Sequence, residues 1–114
     1  MLFFKSIKDC KKHFSDGKLT GRFEVTVNKM KGVIYVENGE FHRTDGPAID
    51  WLTGLSAWHR HGKLHRTDGP AVQYLEKTEY WIDGEGYYDM EEYKIATRRY
   101  KLESFLEDEK DGNM

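Results

Sequence analysis

The sequence predicts an α+β protein that is mainly β, an antiparallel meander of about six strands flanked by an N-terminal and a C-terminal helix. A heptapeptide, His-Arg-Thr-Asp-Gly-Pro-Ala, occurs at residues 42–48 and again at residues 65–71. Between the chain ends, apolar residues alternate with the period of two that is typical of half-buried strands, whereas both ends show the helical period. Because a fixed repeat indicates stacked copies of one unit, we expect a hairpin-repeat architecture within one domain, residues 1–114.

An amphipathic helix is predicted for residues 1–16. Apolar residues recur there every three or four positions and so share one helical face. These residues are Phe3, Ile7, Cys10 and Phe14. Asp16-Gly17 then gives a turn signal that ends the segment.

Three two-stranded hairpins are predicted within residues 17–88, near residues 22–36, 47–60 and 70–82. A single hairpin cannot bury its face alone, so the three are expected to lie side by side. In that arrangement an aromatic ladder forms from Tyr35, Trp58 and either Tyr80 or Trp81. We expect Trp58 to be mostly buried in this ladder.

A second helix is predicted for residues 89–107, with an acidic first turn that suits a helix start. Its apolar face is expected to cap the end of the hairpin array. That face is assigned to Ile95, Leu102, Phe105 and Leu106, widened by Tyr93 and Tyr100. Residues 108–114 are expected to form a flexible acidic tail.

The repeated heptapeptide is interpreted as a structural linker. Asp-Gly-Pro is turn chemistry, and an arginine fork can bond a carboxylate, so Arg43 is expected to pair with Asp45 or with Asp68 of the next unit. The histidines are expected to donate to a backbone carbonyl, and Asp68 to be a buried partner. The structural set comprises His42, Arg43, Asp45, Gly46, Pro47, His65, Arg66, Asp68, Gly69, Pro70, Tyr35, Trp58 and Trp81.

Neither a metal site nor a catalytic site is predicted, and no cofactor is expected. His59, His61 and His65 cluster in sequence, but no thiolate accompanies them. A catalytic pair is needed once, whereas a structural linker is needed at every repeat, so duplication argues against an enzyme. A hydrolase that uses His65 with Asp68 is kept as the weakest alternative.

The charge distribution suggests where a partner binds. The net charge is −2, which makes nucleic acid an unlikely partner, but residues 1–35 carry eight basic and three acidic side chains. An acidic partner is therefore expected to contact the lysines of the first helix or the rim of hairpin turns. The lysines are Lys5, Lys8, Lys11 and Lys12, and the rim residues are Arg60, His61 and Lys63.

Composition narrows the cellular setting. No apolar run approaches the roughly 20 residues of a membrane-spanning helix, so no membrane association is expected. The one cysteine, Cys10, rules out an internal disulfide and fits a reducing cytoplasm.

The repeated unit consists of an aromatic strand, an Asn-Gly or Asp-Gly turn, the segment His-Arg-x-Asp-Gly-Pro-Ala and another strand. This pattern resembles a repeat of small proteins from tailed bacteriophages and large DNA viruses. The resemblance covers roughly residues 35–95 and extends more loosely to MORN-type hairpin repeats. It departs at Thr20-Gly21 and at Gly86-Tyr87-Tyr88, where further heptapeptides would fall.

The resemblance implies a phage-encoded binding module, without enzymatic activity, in the host cytoplasm. The leading function is an interaction protein that binds a host protein and inhibits or redirects it, for takeover or against host defence. A module that sequesters a nucleotide or oligonucleotide between repeats is the alternative. The partner's identity and the oligomeric state stay open.

Overall fold

The computed structural model describes residues 1–112, with side chains described to residue 107. It confirms the α+β class, with two helices and a largely antiparallel set of short strands in the described part. The strands are β1 (Leu2–Phe4), β2 (Gly21–Val27), β3 (Met30–Glu37), β4 (Glu40–Phe41), β5 (Ile49–Trp51), β6 (Ser56–Ala57), β7 (His59–Arg60), β8 (Lys63–Leu64), β9 (Val72–Tyr74), β10 (Lys77–Ile82) and β11 (Glu85–Tyr87). The helices are α1 (Ile7–Gly17) and α2 (Met90–Gly112).

The three predicted hairpins are present as β2–β3, β5–β6 and β9–β10, and they follow one another across the main sheet. Its order is β1-β2-β3-β5-β6-β9-β10-β11, with β4 beside β3. Register places Ile34, Ile49, Ala57 and Val72 in one cross-strand row. Since side chains alternate between the faces of a sheet, this row forms the apolar face that α1 covers.

A second set of tight hairpins explains why there are more strands than expected. Their turns are Asn38-Gly39, His61-Gly62 and Asp83-Gly84, and both residues of each turn have positive φ, as type I′ turns require. The amide of each turn glycine donates to a carbonyl of the preceding unit, at 2.8–2.9 Å. These turns are therefore stacked along one rim of the molecule and fixed to one another.

Helix α1 begins at the N-cap Ser6, whose hydroxyl accepts a hydrogen bond from the Asp9 amide at 3.2 Å. It ends at Lys18, which adopts the left-handed conformation. Cys10 and Phe14 have no exposed surface and pack into the main core, as the periodicity predicted.

The prediction of a helix from residue 1 is wrong. Leu2–Phe4 forms β1, which pairs in parallel with β2 at the sheet edge. Phe3 is 74% exposed and Ile7 is 46% exposed, so neither belongs to the buried face of α1. Alternation in a short strand explains this, because Leu2 and Phe4 turn inward and Phe3 turns outward.

Helix α2 packs on the face of the sheet opposite to α1. Tyr80 and Ile82 of β10 alternate with Trp81, and they contact Tyr93 and Ala96 of the helix. The described part of α2 therefore caps the array from the second face, and the sheet lies between the two helices.

The predicted apolar face of α2 is wrong at its four aliphatic and phenylalanine positions. Ile95, Leu102, Phe105 and Leu106 are between 50% and 61% exposed. The two tyrosines of the predicted face do pack inward, Tyr93 buried and Tyr100 half-buried, and Ala96 and Thr97 are buried with them. The helix also continues to Gly112 rather than ending at residue 107. The prediction of a flexible tail from residue 108 is therefore wrong up to residue 112, and residues 113–114 lie outside the described part. Neither described helix is long and apolar enough to cross a membrane.

Candidate functional site

The two heptapeptide loops line one cleft of about 340 Å³ on the α2 side of the sheet, which we call the repeat cleft. Both loops contribute their Arg-Thr-Asp segments to its walls. The lining residues are Arg43, Thr44, Asp45, Trp58, Arg60, His65, Arg66, Thr67 and Asp68. The duplication seen in the sequence thus becomes one continuous surface feature.

The second loop is wrapped around Arg66. Its guanidinium lies 4.0 Å from the centroid of the Trp58 ring, within the range of cation–π attraction. Nε donates to Asp68 Oδ1 at 2.9 Å, and Nη1 donates to the Pro70 carbonyl at 3.1 Å. One side chain therefore joins the aromatic strand residue to both ends of the turn.

The first loop repeats this arrangement around Arg43. The guanidinium lies 4.0 Å from the Tyr35 ring, Nε donates to Asp45 at 3.0 Å, and Nη1 donates to the Pro47 carbonyl at 3.3 Å. Of the two predicted pairings, the structure has the one within a loop, and Arg43 does not bond Asp68. The carboxylates are 82% and 73% exposed, so the expectation of a buried Asp68 is wrong.

The glycines of the heptapeptide are needed for space. A Cβ atom at Gly69 would lie 2.8 Å from Arg66 Cζ, and one at Gly46 would lie 2.7 Å from Arg43 Cζ. Neither glycine has positive φ, so its role in the turn is not conformational. Glycine thus lets each guanidinium lie flat against its own loop.

The histidines of the heptapeptide join neighbouring units, but as acceptors. His42 Nδ1 accepts from the His61 amide at 3.0 Å, and His65 Nδ1 accepts from the Asp83 amide at 3.0 Å. The predicted donation to a carbonyl of the same linker is wrong, because the stacked turns present amide donors to these rings. Acceptance by Nδ1 requires the tautomer with the proton on Nε2.

At Thr20-Gly21, where the sequence departs from the heptapeptide, a threonine hydroxyl replaces the histidine ring as the acceptor that joins neighbouring units. Thr20 Oγ1 accepts from the Asn38 amide at 2.9 Å, as the histidines do from the later turns. The first unit is therefore degenerate in sequence but equivalent in hydrogen bonding.

In the third unit Tyr80, not Trp81, takes the position of the ladder ring. Tyr80 pairs with Tyr87 across its hairpin, as Trp58 is bonded to His65, because the third unit is one residue shorter. Trp81 lies on the other face and donates from Nε1 to Glu79 at 2.9 Å. Of the two predicted candidates for the third ladder position, the structure therefore has Tyr80 and not Trp81.

The ladder rings also do not stack on one another. Tyr35, Trp58 and Tyr80 are half-buried, and no contact in the described part joins ring to ring among them. Arginines cover the first two rings, whereas Tyr93 of α2 covers Tyr80 at a centroid distance of 4.8 Å. Trp58 is accordingly covered by Arg66 and not by a neighbouring ring of the ladder.

Tyr93 is a junction residue that the sequence reading missed. Its hydroxyl donates to the Arg66 carbonyl at 2.6 Å and lies 3.0 Å from the Gly69 carbonyl. It thereby fixes α2 to the second heptapeptide loop. The helical spacing of Tyr93 did not indicate this role, because hydrogen bonds from a side-chain hydroxyl to loop carbonyls leave no periodic pattern in the sequence.

The predicted binding residues fall on two separate surfaces. The lysine face consists of Lys5, just before the α1 N-cap, with Lys8, Lys11 and Lys12 of the helix; all four are exposed, and Lys12 pairs with Asp16. Arg60, His61 and Lys63 lie at the β7–β8 turn, where Arg60 also lines the repeat cleft. The amide of His61 is held by His42, so this turn is less free to vary than the sequence suggested.

Burial lowers the pKa of three histidines. Burial lowers the pKa of His59 to about 4, and Lys11 acts in the same direction. Burial also lowers the pKa of His65, reinforced by Arg60, and that of His42, reinforced by His61 and opposed by Glu37. In the repeat loop, the hydrogen bond from Arg66 lowers the pKa of Asp68.

We expect the free energy of unfolding to fall as the pH drops. The folded-state pKa of these histidines lies below the unfolded value of about 6.5, so the unfolded state binds more protons at acidic pH. Their contribution is complete above about pH 6.5 and is lost as the pH falls through each folded-state pKa; for His59, whose pKa is about 4, the loss is on the order of 2–4 kcal/mol. Denaturant unfolding at a series of pH values measures this loss.

One variant assigns the pH dependence to His59. His59→Val should flatten the acid limb and should still fold, because Val36 occupies the equivalent position in the first unit. An acid limb as steep in His59→Val as in the wild type would refute the assignment to His59.

Within the part of the chain that the structure describes, no group of three or more His, Cys, Asp or Glu side chains is arranged to hold a metal ion. Comparison with protein-family models, with curated proteins and with solved structures gave no match.

Proposed function

We propose that the protein is a small interaction protein that binds an acidic surface of a host protein through the lysine face of α1. The observation that carries this proposal is the separation of roles within α1. Cys10 and Phe14 are fully buried in the core, while the four lysines are exposed. A partner can therefore contact them without disturbing the packing of the helix.

Most of the lysines in the lysine face are not engaged in ion pairs with described side chains of the protein itself. Of the four lysines, only Lys12 has an ion-pair partner among the described side chains. The surrounding segment, residues 1–35, carries the excess of positive charge, whereas the rest of the chain is net acidic. Concentrated charge of one sign steers a complementary partner and raises the association rate.

The host, phage origin and cytoplasmic setting in this proposal rest on the sequence resemblance. Inhibition or redirection of the host protein follows from the same resemblance. The sheet of stacked repeats supports binding to a host protein on physical grounds, because an interface that is ordered before binding loses less conformational entropy.

Reversing three lysines tests the site. Lys8→Glu/Lys11→Glu/Lys12→Glu should weaken capture of partner proteins from host lysate at least tenfold, and capture by the wild-type protein should fall as salt rises. The matched control is Lys29→Glu/Lys31→Glu/Lys77→Glu, which makes the same change of charge at exposed positions outside α1. Thermal unfolding of both variants should stay close to that of the wild type.

The two triple variants separate the possible outcomes. Equal loss of capture in both would mean that only net charge matters, and no loss in the α1 variant would move the site to the turn rim, with Arg60, His61 and Lys63. Either result contradicts the proposal.

A nucleotide or an oligonucleotide in the repeat cleft is the second candidate. It is favoured by Arg60, which is exposed beside Trp58 and has no ion-pair partner among the described side chains. An arginine and an aromatic ring are groups that bind phosphate and base. A rise in melting temperature with nucleotides that Arg60→Ala abolishes would support this candidate over the first.

The hydrolase alternative gains nothing from these contacts. His65 Nδ1 is occupied by the Asp83 amide, and Asp68 bonds Arg66 rather than His65. The two side chains do not form the hydrogen-bonded pair that acid–base catalysis requires.

A further inference from the structure

Helix α2 presents an apolar stripe to solvent. Ile95, Leu102 and Leu106 recur at intervals of seven and four residues and share one face, with Phe105 on its flank. Their exposed fractions are 50%, 58%, 54% and 61%. This stripe lies opposite Tyr93 and Ala96, which hold the helix on the sheet.

The stripe differs from the other exposed apolar side chains. Leu52 and Leu75 lie singly in turns, as is normal for surface residues, whereas the residues of the stripe share one face of one helix over about three turns. Arg99 and Glu103 lie on the border of the stripe, are exposed and have no ion-pair partner among the described side chains.

We propose that a second copy of this chain covers the stripe, with the two α2 helices antiparallel. When their centres meet near residue 101, Ile95 of one helix lies beside Leu106 of the other, and Leu102 lies near the twofold axis. Arg99 of each copy then reaches Glu103 of the other on the same flank. A twofold axis makes every such contact twice.

Charge complementarity selects a second copy as the occupant. The middle of α2 is basic, with Lys94, Arg98, Arg99 and Lys101. The acidic residues Glu103 and Glu107 follow further along the helix. Antiparallel pairing places Arg99 of each helix at the level of Glu103 of the other, whereas parallel pairing in register would place Arg99 beside Arg99 and Glu103 beside Glu103.

Molar mass in solution tests the pairing. At a protein concentration of about 100 μM, light scattering after size exclusion should give twice the 13.4 kDa of one chain. Leu102→Glu should give the single-chain mass, while Leu52→Glu, at an exposed leucine in the β5–β6 turn, should stay dimeric. Circular dichroism should show both variants folded.

An exchange of charges tests the register. Arg99→Glu and Glu103→Arg should each raise the dimer dissociation constant about tenfold or more, and the double variant should restore it, because each ion pair is rebuilt in reverse. A single-chain mass for the wild type at every concentration would overturn the proposal. Dissociation by Leu52→Glu as strong as by Leu102→Glu, or failure of the double variant to recover, would also overturn it.

Discussion

Phe14→Ala should lower the free energy of unfolding by about 3–5 kcal/mol, the usual cost of truncating a fully buried phenylalanine. Phe14 has no exposed surface, and its ring contacts Phe23 and Phe4 at centroid distances of 5.0 and 6.1 Å. It therefore joins α1 to both β1 and β2. Denaturant unfolding followed by tryptophan fluorescence measures the change.

Phe3→Ala is the matched control, because Phe3 is 74% exposed on β1. Its effect should stay below about 1 kcal/mol. If both variants lost the same stability, or if Phe14→Ala cost less than about 1 kcal/mol, the docking of α1 on the sheet would be refuted.

Arg66→Ala should cost roughly 2–4 kcal/mol, the second largest effect that we expect. It removes the cation–π contact with Trp58 and the hydrogen bonds to Asp68 and Pro70, which contribute about 1 kcal/mol each. It also leaves a gap over Gly69, where the guanidinium now lies. The midpoint and slope of denaturant unfolding give the value.

Asp68→Ala serves as the control for Arg66→Ala. The carboxylate is 73% exposed, so we expect a loss of about 1 kcal/mol at most, the range of exposed ion pairs. A loss for Asp68→Ala as large as that for Arg66→Ala would mean that the ion pair, rather than the stacked arginine, stabilises the loop.

The hairpins β2–β3, β5–β6 and β9–β10 could be predicted because the alternation of apolar residues along their strands is a local signal. Asn38-Gly39 and Asp83-Gly84 also carry a local turn signal, positive φ at two successive residues, but the short hairpins that they close were not predicted. Strand β1 could not be predicted in this way. Leu2–Phe4 fits either a helix start or a short strand, and its parallel partner, β2, is distant in sequence.

The face of α2 shows another limit of periodicity. The helical period identified an amphipathic helix, but it does not say whether the most apolar side covers the protein's own sheet. Tyr93 and Ala96 pack inward because a small residue allows close approach and a hydroxyl satisfies loop carbonyls. These packing and hydrogen-bonding requirements arise from the second heptapeptide loop, so the sequence of the helix alone does not reveal them.

At the candidate site, duplication predicted a structural loop and one of the two arginine pairings. The stacking of Arg43 and Arg66 on aromatic rings was not predicted, because it depends on which sheet face each loop crosses. The direction of the histidine hydrogen bonds also depended on the stacked turns, which present amides rather than carbonyls.

The coupling free energy between Arg66 and Trp58 tests most directly whether the heptapeptide stabilises the fold through its arginine. A double-mutant cycle uses Arg66→Leu, Trp58→Leu and the double variant, since leucine keeps apolar volume at both sites. The stacked pair at 4.0 Å predicts a coupling of about 1–2 kcal/mol. Effects that add to within about 0.3 kcal/mol would contradict a structural role for the repeated arginine.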